Sequence, residues 1–157
     1  MWIPEGTSNR RLQLAAIAFA LAAAAFSQGC GSATATVSFR CGPEINAGTL
    51  LTVDVVRATE SEVERIRALG EKWFYDPLRE SLRDRTRTAT FLQQESRCDK
   101  EVTVPAGKED KFLVIIADYR FQSADPGRYL VVLKRDQWRR RTIQVQVRDR
   151  DFSIAQP

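Results

Sequence analysis

From residue 36 onward apolar and polar side chains alternate with a period of two in one short segment after another, a rhythm that only half-buried or buried strands accommodate. In residues 36–40, Val37 and Phe39 share one face while Thr36, Ser38 and Arg40 share the other. In residues 50–57, Leu51, Val53 and Val55 oppose Thr52, Asp54 and Val56. Further strands are expected at 88–93, 100–104, 111–119, 128–134, 142–148 and 152–154. In 111–119 both alternating sets are apolar, Phe112, Val114 and Ile116 against Leu113, Ile115 and Ala117, which predicts a central strand covered on both faces. In 142–148 the apolar Ile143, Val145 and Val147 alternate with Gln144, Gln146 and Arg148, the pattern of a strand with one wet face.

Breakers separate these segments. Gly42, Pro43, Asn46 and Gly48 mark a loop at 41–49, Pro105-Ala106-Gly107 a turn, and Asp125-Pro126-Gly127 a turn whose Pro and Gly suit type II geometry. Seven or eight short strands in about 120 residues predict a mainly β fold, a β-sandwich occupying residues 36–157.

One stretch departs from this rhythm. Val63, Ile66 and Leu69 recur at helical spacing, with Thr59 and Glu62 as a capping box in front and Gly70 behind. A second short helix is predicted to start at Asp76-Pro77, with Asp76 as its cap and Leu78 and Leu82 as its apolar stripe. Trp73, Phe74 and Tyr75 precede it and are expected to pin this helical insertion, at about 59–84, onto the sheet. Arg79, Arg83, Arg85 and Arg87, interspersed with Glu80 and Asp84, read as a mixed-charge helix face.

The N-terminus is of another kind. Arg10 and Arg11 precede an apolar run of 13 residues, 14–26, too short to span a bilayer, where roughly 20 residues are needed. Residues 1–29 are therefore read as an export signal. Phe26-Ser27-Gln28-Gly29-Cys30 fits a lipobox, which makes Cys30 a candidate for diacylglyceryl attachment after cleavage, with 30–35 as a tether between lipid and fold. The alternative is an ordinary secretory signal that leaves Cys30 a free thiol. Lipidation would leave Cys41 and Cys98 as an even pair in an oxidising compartment. A disulfide across that long loop would contribute on the order of 4 kcal/mol in the chain-entropy model; two buried free thiols are the alternative.

Charge and composition exclude several functions. The chain of 157 residues has 24 Lys and Arg against 20 Asp and Glu and no histidine. The charge is too balanced to argue for nucleic acid, and His-based nucleophile pairs and His-ligated metals are excluded. No catalytic residue, metal site, cofactor or small-molecule substrate is expected. The acidic pairs Asp149 with Asp151 and Glu109 with Asp110 read as solvated hairpin ends. Lys134, Arg135, Arg139, Arg140 and Arg141 flank Trp138, a combination that suits either a plain exposed loop or the binding of an anionic glycan or lipid.

The order of these features resembles a known family. A lipobox is followed by a strand, a loop with Pro and Asn, the strand Leu51-Thr-Val-Asp-Val-Val-Arg57, a helical insertion with Trp73-Phe74 and Leu78, and then Val102-Thr-Val-Pro-Ala-Gly107 and Ile115-Ile-Ala-Asp-Tyr-Arg120. This resembles the type VI secretion outer-membrane lipoproteins, the TssJ family, over about residues 26–155. Arg128-Tyr129 stands where the family commonly has Trp-Arg. The resemblance implies a transthyretin-like β-sandwich, lipid-anchored through Cys30 at the outer membrane and facing the periplasm. It also implies a non-catalytic assembly role, in which the protein binds the periplasmic C-terminal part of the large inner-membrane subunit, of TssM type. The family's contact loop maps to Gly42, Pro43, Glu44, Ile45, Asn46 and Ala47.

Overall fold

A computed structural model describes residues 33–92, 99–120 and 124–155. Contacts divide the chain into Met1–Ser32 and Ala33–Pro157, and all described residues belong to the second unit. The expected signal segment, Cys30 and Cys98 lie outside the described residues.

The described strands are β1 (Thr34–Cys41), β2 (Leu51–Ala58), β3 (Thr86–Phe91), β4 (Lys100–Pro105), β5 (Phe112–Ala117), β6 (Leu130–Lys134), β7 (Thr142–Val147) and β8 (Phe152–Ala155). They form two four-stranded sheets, β4-β1-β7-β8 and β3-β2-β5-β6. Only β1 and β7 run parallel, in register Thr36 with Thr142; every other pairing is antiparallel. The protein is thus a mainly β sandwich with a small helical insertion, as the two-residue rhythm predicts.

Alternation decides which side chains meet between the sheets. Val37 and Phe39 of β1, Leu51, Val53 and Val55 of β2, Leu113 and Ile115 of β5, and Val145 and Val147 of β7 form one buried cluster. Phe39 meets Phe91 edge to face, with centroids 5.3 Å apart. β5 lies inside its sheet, between β2 and β6, and its second apolar set needs a cover. The insertion supplies it: Val63, Ile66, Trp73, Leu78 and Leu82 pack on Val56, Val114 and Ile116.

The insertion comprises α1 (Glu60–Leu69), a 3-10 segment Gly70–Tyr75 and α2 (Pro77–Ser81). The Thr59 amide donates to Glu62 Oε2 at 2.8 Å, satisfying a helix-start donor. Gly70, at φ 54°, ends α1 in the left-handed region. Asp76 Oδ1 accepts from the Leu78 amide at 2.8 Å, the predicted cap.

Beneath the insertion lies a carboxylate. Asp54 is fully buried on the outer face of β2 and accepts from Trp73 Nε1 at 3.0 Å, Arg79 Nε at 2.7 Å and Thr88 Oγ1 at 2.6 Å. A buried charge is tolerable because its oxygens are filled by donors, one of them cationic.

Several sequence expectations are corrected here. Arg79 is not part of a solvated face; it clamps Asp54. Trp73 does pin the insertion, but Tyr75 projects into solvent, 84% exposed. Asp110 is buried and paired with Arg57 at 2.9 Å, because its carboxylate also caps the Gly107 amide at 2.8 Å inside its own turn. At 125–128 the chain makes a 3-10 turn, Pro126–Arg128, instead of type II: Asp125 Oδ1 accepts from the Gly127 amide, and Gly127 does not take the positive φ that type II requires. Between β6 and β7 a four-residue helix, α3 (Arg135–Trp138), replaces the expected open loop and turns Trp138 fully into the core. A ring without exposed surface cannot stack on a glycan, so the Trp138 half of the ligand-binding expectation fails.

Candidate functional site: the loop end of the sandwich

β1 has eight residues and so spans roughly 25 Å at about 3.3 Å per residue. The chain enters the fold at its first end, where the Ala106 amide donates to Ala33 O at 2.6 Å. At its other end, residues 42–50 cross to β2. The candidate contact loop and the N-terminal entry of the fold therefore sit at opposite ends of one strand.

Asn46 organises the loop. It takes φ 47°, a region that Asn tolerates better than most residues, and Ala47 and Gly48 follow at 51° and 77°. Its buried amide donates to Leu50 O at 2.7 Å, while its Oδ1 accepts from the Arg120 amide at 2.6 Å. Asn46 O in turn accepts from the Thr49 amide and hydroxyl at 3.0 and 2.7 Å. A second clamp comes from the β7–β8 turn, where Asp149 Oδ1 accepts from the Ala47 amide at 2.5 Å. The Gly42 amide closes the base on Val147 O at 2.8 Å.

The segment after β5 backs this loop. The Asp118 amide donates to Thr52 O at 2.8 Å, and the Tyr119 hydroxyl donates to Asp151 O at 2.6 Å. Burial pushes the Tyr119 phenol above its ordinary range, so it remains a donor. Burial, with the neighbouring Glu71 carboxylate, also raises Asp118 above the usual carboxylate value.

Among the six predicted contact residues the fold separates two groups. Ile45 and Asn46 are buried and hold the loop, whereas Pro43, Glu44 and Ala47 are exposed and Gly42 is half-buried. Beside them lies an apolar feature that the sequence reading missed. Leu50 and Leu92 are 52% and 49% exposed, and extending the β2–β3 register one place beyond Leu51 and Phe91 sets them opposite each other. The signal was available: two adjacent leucines opening a strand cannot both face inward. Cys41, half-buried at the loop's base, is disulfide-bonded. Among the described residues, no group of three or more acidic or cysteine side chains is placed to hold a metal ion.

No known family profile matches the sequence, and no curated protein is similar to it at significance. Solved structures are similar in fold. A chain of the structure described as the T6SS protein TssM C-terminal domain (869-1107) from EAEC matches with a TM-score of 0.62 at 12% identity, over 78% of this chain and 98% of that one. Serratia marcescens Lip, described as a membrane bound component of the type VI secretion system, matches with 0.58 at 12% identity, over 80% and 99%. The T6SS lipoprotein TssJ1 from Pseudomonas aeruginosa matches with 0.54 at 13% identity, over 80% and 97%.

Proposed function

We propose that this chain is a lipoprotein of the TssJ type, a non-catalytic component of a type VI secretion membrane complex. In this reading residues 1–29 are removed, Cys30 carries the acyl chains, and the residues before Ala33 tether the sandwich to the periplasmic face of the outer membrane; the tether is shorter than the expected 30–35 because Thr34 and Ala35 already belong to β1 and Ala33 and Ala35 are buried. Three acyl chains make such an anchoring stable where one does not.

The carrying observation is the opposition of the two ends of β1, on a fold shared with the Lip and TssJ1 lipoproteins. A tether leaving at Ala33 turns the loop at 42–50 away from the membrane, toward whatever spans the periplasm. The partner that suits this geometry is the periplasmic C-terminal part of a large TssM-type inner-membrane subunit. One further comparison supports it. A chain of a structure described as a TssM C-terminal domain shares this fold over 78% of the present chain. Pro43, Glu44 and Ala47, with Leu50 and Leu92, form the contact surface: the loop is already clamped, so docking loses little ordering entropy.

Cys41 and Cys98 are proposed to be joined. Lipidation of Cys30 leaves these two as an even pair in an oxidising compartment, where a disulfide is the default.

The test is affinity recovery of the tagged protein from solubilised membranes of cells that make a TssM-type subunit. The wild type is expected to bring that subunit down, and a Glu44→Arg/Leu50→Glu variant to lose at least about tenfold of it, a modest fraction of what interface anchors contribute. Undiminished recovery with the variant would move the contact elsewhere, and no recovery with the wild type would end the secretion-complex reading.

A further inference from the structure

At the end where the chain enters the fold, α3 leads into three consecutive arginines, Arg139, Arg140 and Arg141, all exposed. Their backbone is fixed. The Arg139 amide donates to Arg135 O at 3.0 Å, the Arg141 amide to Trp138 O at 3.2 Å, and Arg141 O accepts from the Thr36 amide at 3.0 Å. Trp138 nails the turn to the core from beneath.

Arg140 adopts φ 58°, a conformation that a long side chain takes at a cost and that Gly or Asn would supply more cheaply. No ion pair or side-chain hydrogen bond engages any of the three among the described residues. Elsewhere at this end the charges are satisfied or balanced: Arg57 is paired with Asp110, and Arg135 donates to the carbonyls of Gly107 and Asp110. The exposed Asp136 and Glu109 are offset by Lys134 and Lys108. The arginine turn is thus a rigid, unneutralised cationic point, held next to the first strand.

We propose that this turn is a membrane-facing platform that binds the anionic headgroups of the phospholipid leaflet carrying the anchor, and so sets the domain's orientation on it. The inference rests on the lipoprotein reading, since Ala33 is only three residues, at most about 10 Å of chain, from Cys30. Guanidinium groups pair with phosphate through paired N–H donors, and each basic residue at an anionic surface contributes roughly a fivefold gain in partition, on the order of a hundredfold for three. With the turn seated on headgroups, the loop at the far end of β1 points outward.

The experiment uses the unlipidated unit Ala33–Pro157, which contains both buried clusters, and sedimentation with vesicles. Vesicles containing phosphatidylglycerol are expected to pellet it and phosphatidylcholine vesicles to leave it in solution, with the preference abolished by high salt. The variant Arg139→Gln/Arg140→Asn/Arg141→Gln is expected to lose the preference. A charge-matched variant at the other end, Arg40→Gln/Arg128→Gln/Arg150→Gln, is expected to keep it.

Equal loss in both variants would reduce the effect to net charge and overturn the proposal. Binding to isolated cell wall in place of vesicles would overturn it too. Mass spectrometry of Cys30 from membranes is read separately: acylated Cys30 without vesicle preference removes the platform and keeps the anchor, and the converse keeps the platform and removes the anchor.

Discussion

Where the chain enters the sandwich, charged side chains hold the fold: Arg57 meets Asp110 at 2.9 Å, Arg85 meets Glu62, and Arg135 Nη1 reaches Gly107 O and Asp110 O at 2.8 and 2.7 Å. At the loop end, the Asn46 amide, the Asp149 carboxylate and the Tyr119 hydroxyl hold backbone groups instead. In both places the residues that fix the surface differ from those it displays. The side chains of Pro43 and Glu44 at one end, and of Arg139 to Arg141 at the other, carry no share of the clamping among the described residues. A surface arranged in this way can change its displayed residues without losing its shape.

The largest effect should come from breaking the ionic end. Asp110→Ala leaves the Arg57 guanidinium largely buried with no carboxylate and the Gly107 amide without its acceptor, and should cost about 3–5 kcal/mol. Gly107→Ala attacks the same pair from the other side, since a Cβ there would stand 2.5 Å from Asp110 Oδ2. Arg139→Gln, at the same end, should change stability by less than about 0.5 kcal/mol. Urea unfolding of the three variants measures the contrast, and comparable losses in Asp110→Ala and Arg139→Gln would erase the distinction between holding and displaying.

The loop end should break more gently. Asn46→Ala removes a donor and an acceptor for partly buried backbone groups and puts a poorly suited residue at φ 47°, for an expected loss of about 2 kcal/mol. Asn46→Gly keeps the backbone conformation and loses only the hydrogen bonds, so it should fall short of Asn46→Ala; Glu44→Ala should be neutral within about 0.5 kcal/mol. A Gly variant as damaging as the Ala variant would assign the whole effect to the amide and none to the left-handed turn.

Local devices were legible in the sequence. Alternation in Leu51, Val53 and Val55 sets the face of β2, the double apolar set of β5 announces two covers, and Thr59, Glu62, Gly70 and Asp76 mark helix ends within a few residues of themselves. What stayed hidden depends on distant partners. Nothing near Asp110 foretells Arg57, 53 positions away, and nothing near Asp54 foretells Arg79 and Thr88. Trp138 stands among arginines and reads as surface, because the four-residue helix that rotates it inward is too short to leave a periodic signature. The candidate loop was located by resemblance and by its breakers, while its division into buried Ile45 and Asn46 and exposed Pro43 and Glu44 required the three-dimensional fold.

Acid should separate the two ends by sign. Partial burial alone would raise Glu62, but the Arg85 guanidinium and the Thr59 amide bind its ionised form more strongly and hold it below its ordinary value of 4.5. The unfolded chain therefore binds the extra proton first, so the contribution of Glu62 is complete above pH 4.5 and is lost as the pH falls through the lowered folded value. Asp118, at the loop end, is raised above 3.8 by burial and Glu71, so there the folded chain binds the proton first. Its ionisation costs stability as the pH rises through the raised value. Glu62→Gln should thus flatten the acid-side loss by at most about 1 kcal/mol, and Asp118→Asn should raise stability near neutral pH while leaving acid stability unchanged. Unfolding free energies of both variants between pH 3 and 7, on the order of four points spaced across the carboxylate range, decide it. Parallel profiles for the two variants would mean that the ends do not differ in how they carry charge, and the division between an ionic end and a backbone-clamped end would have no energetic content.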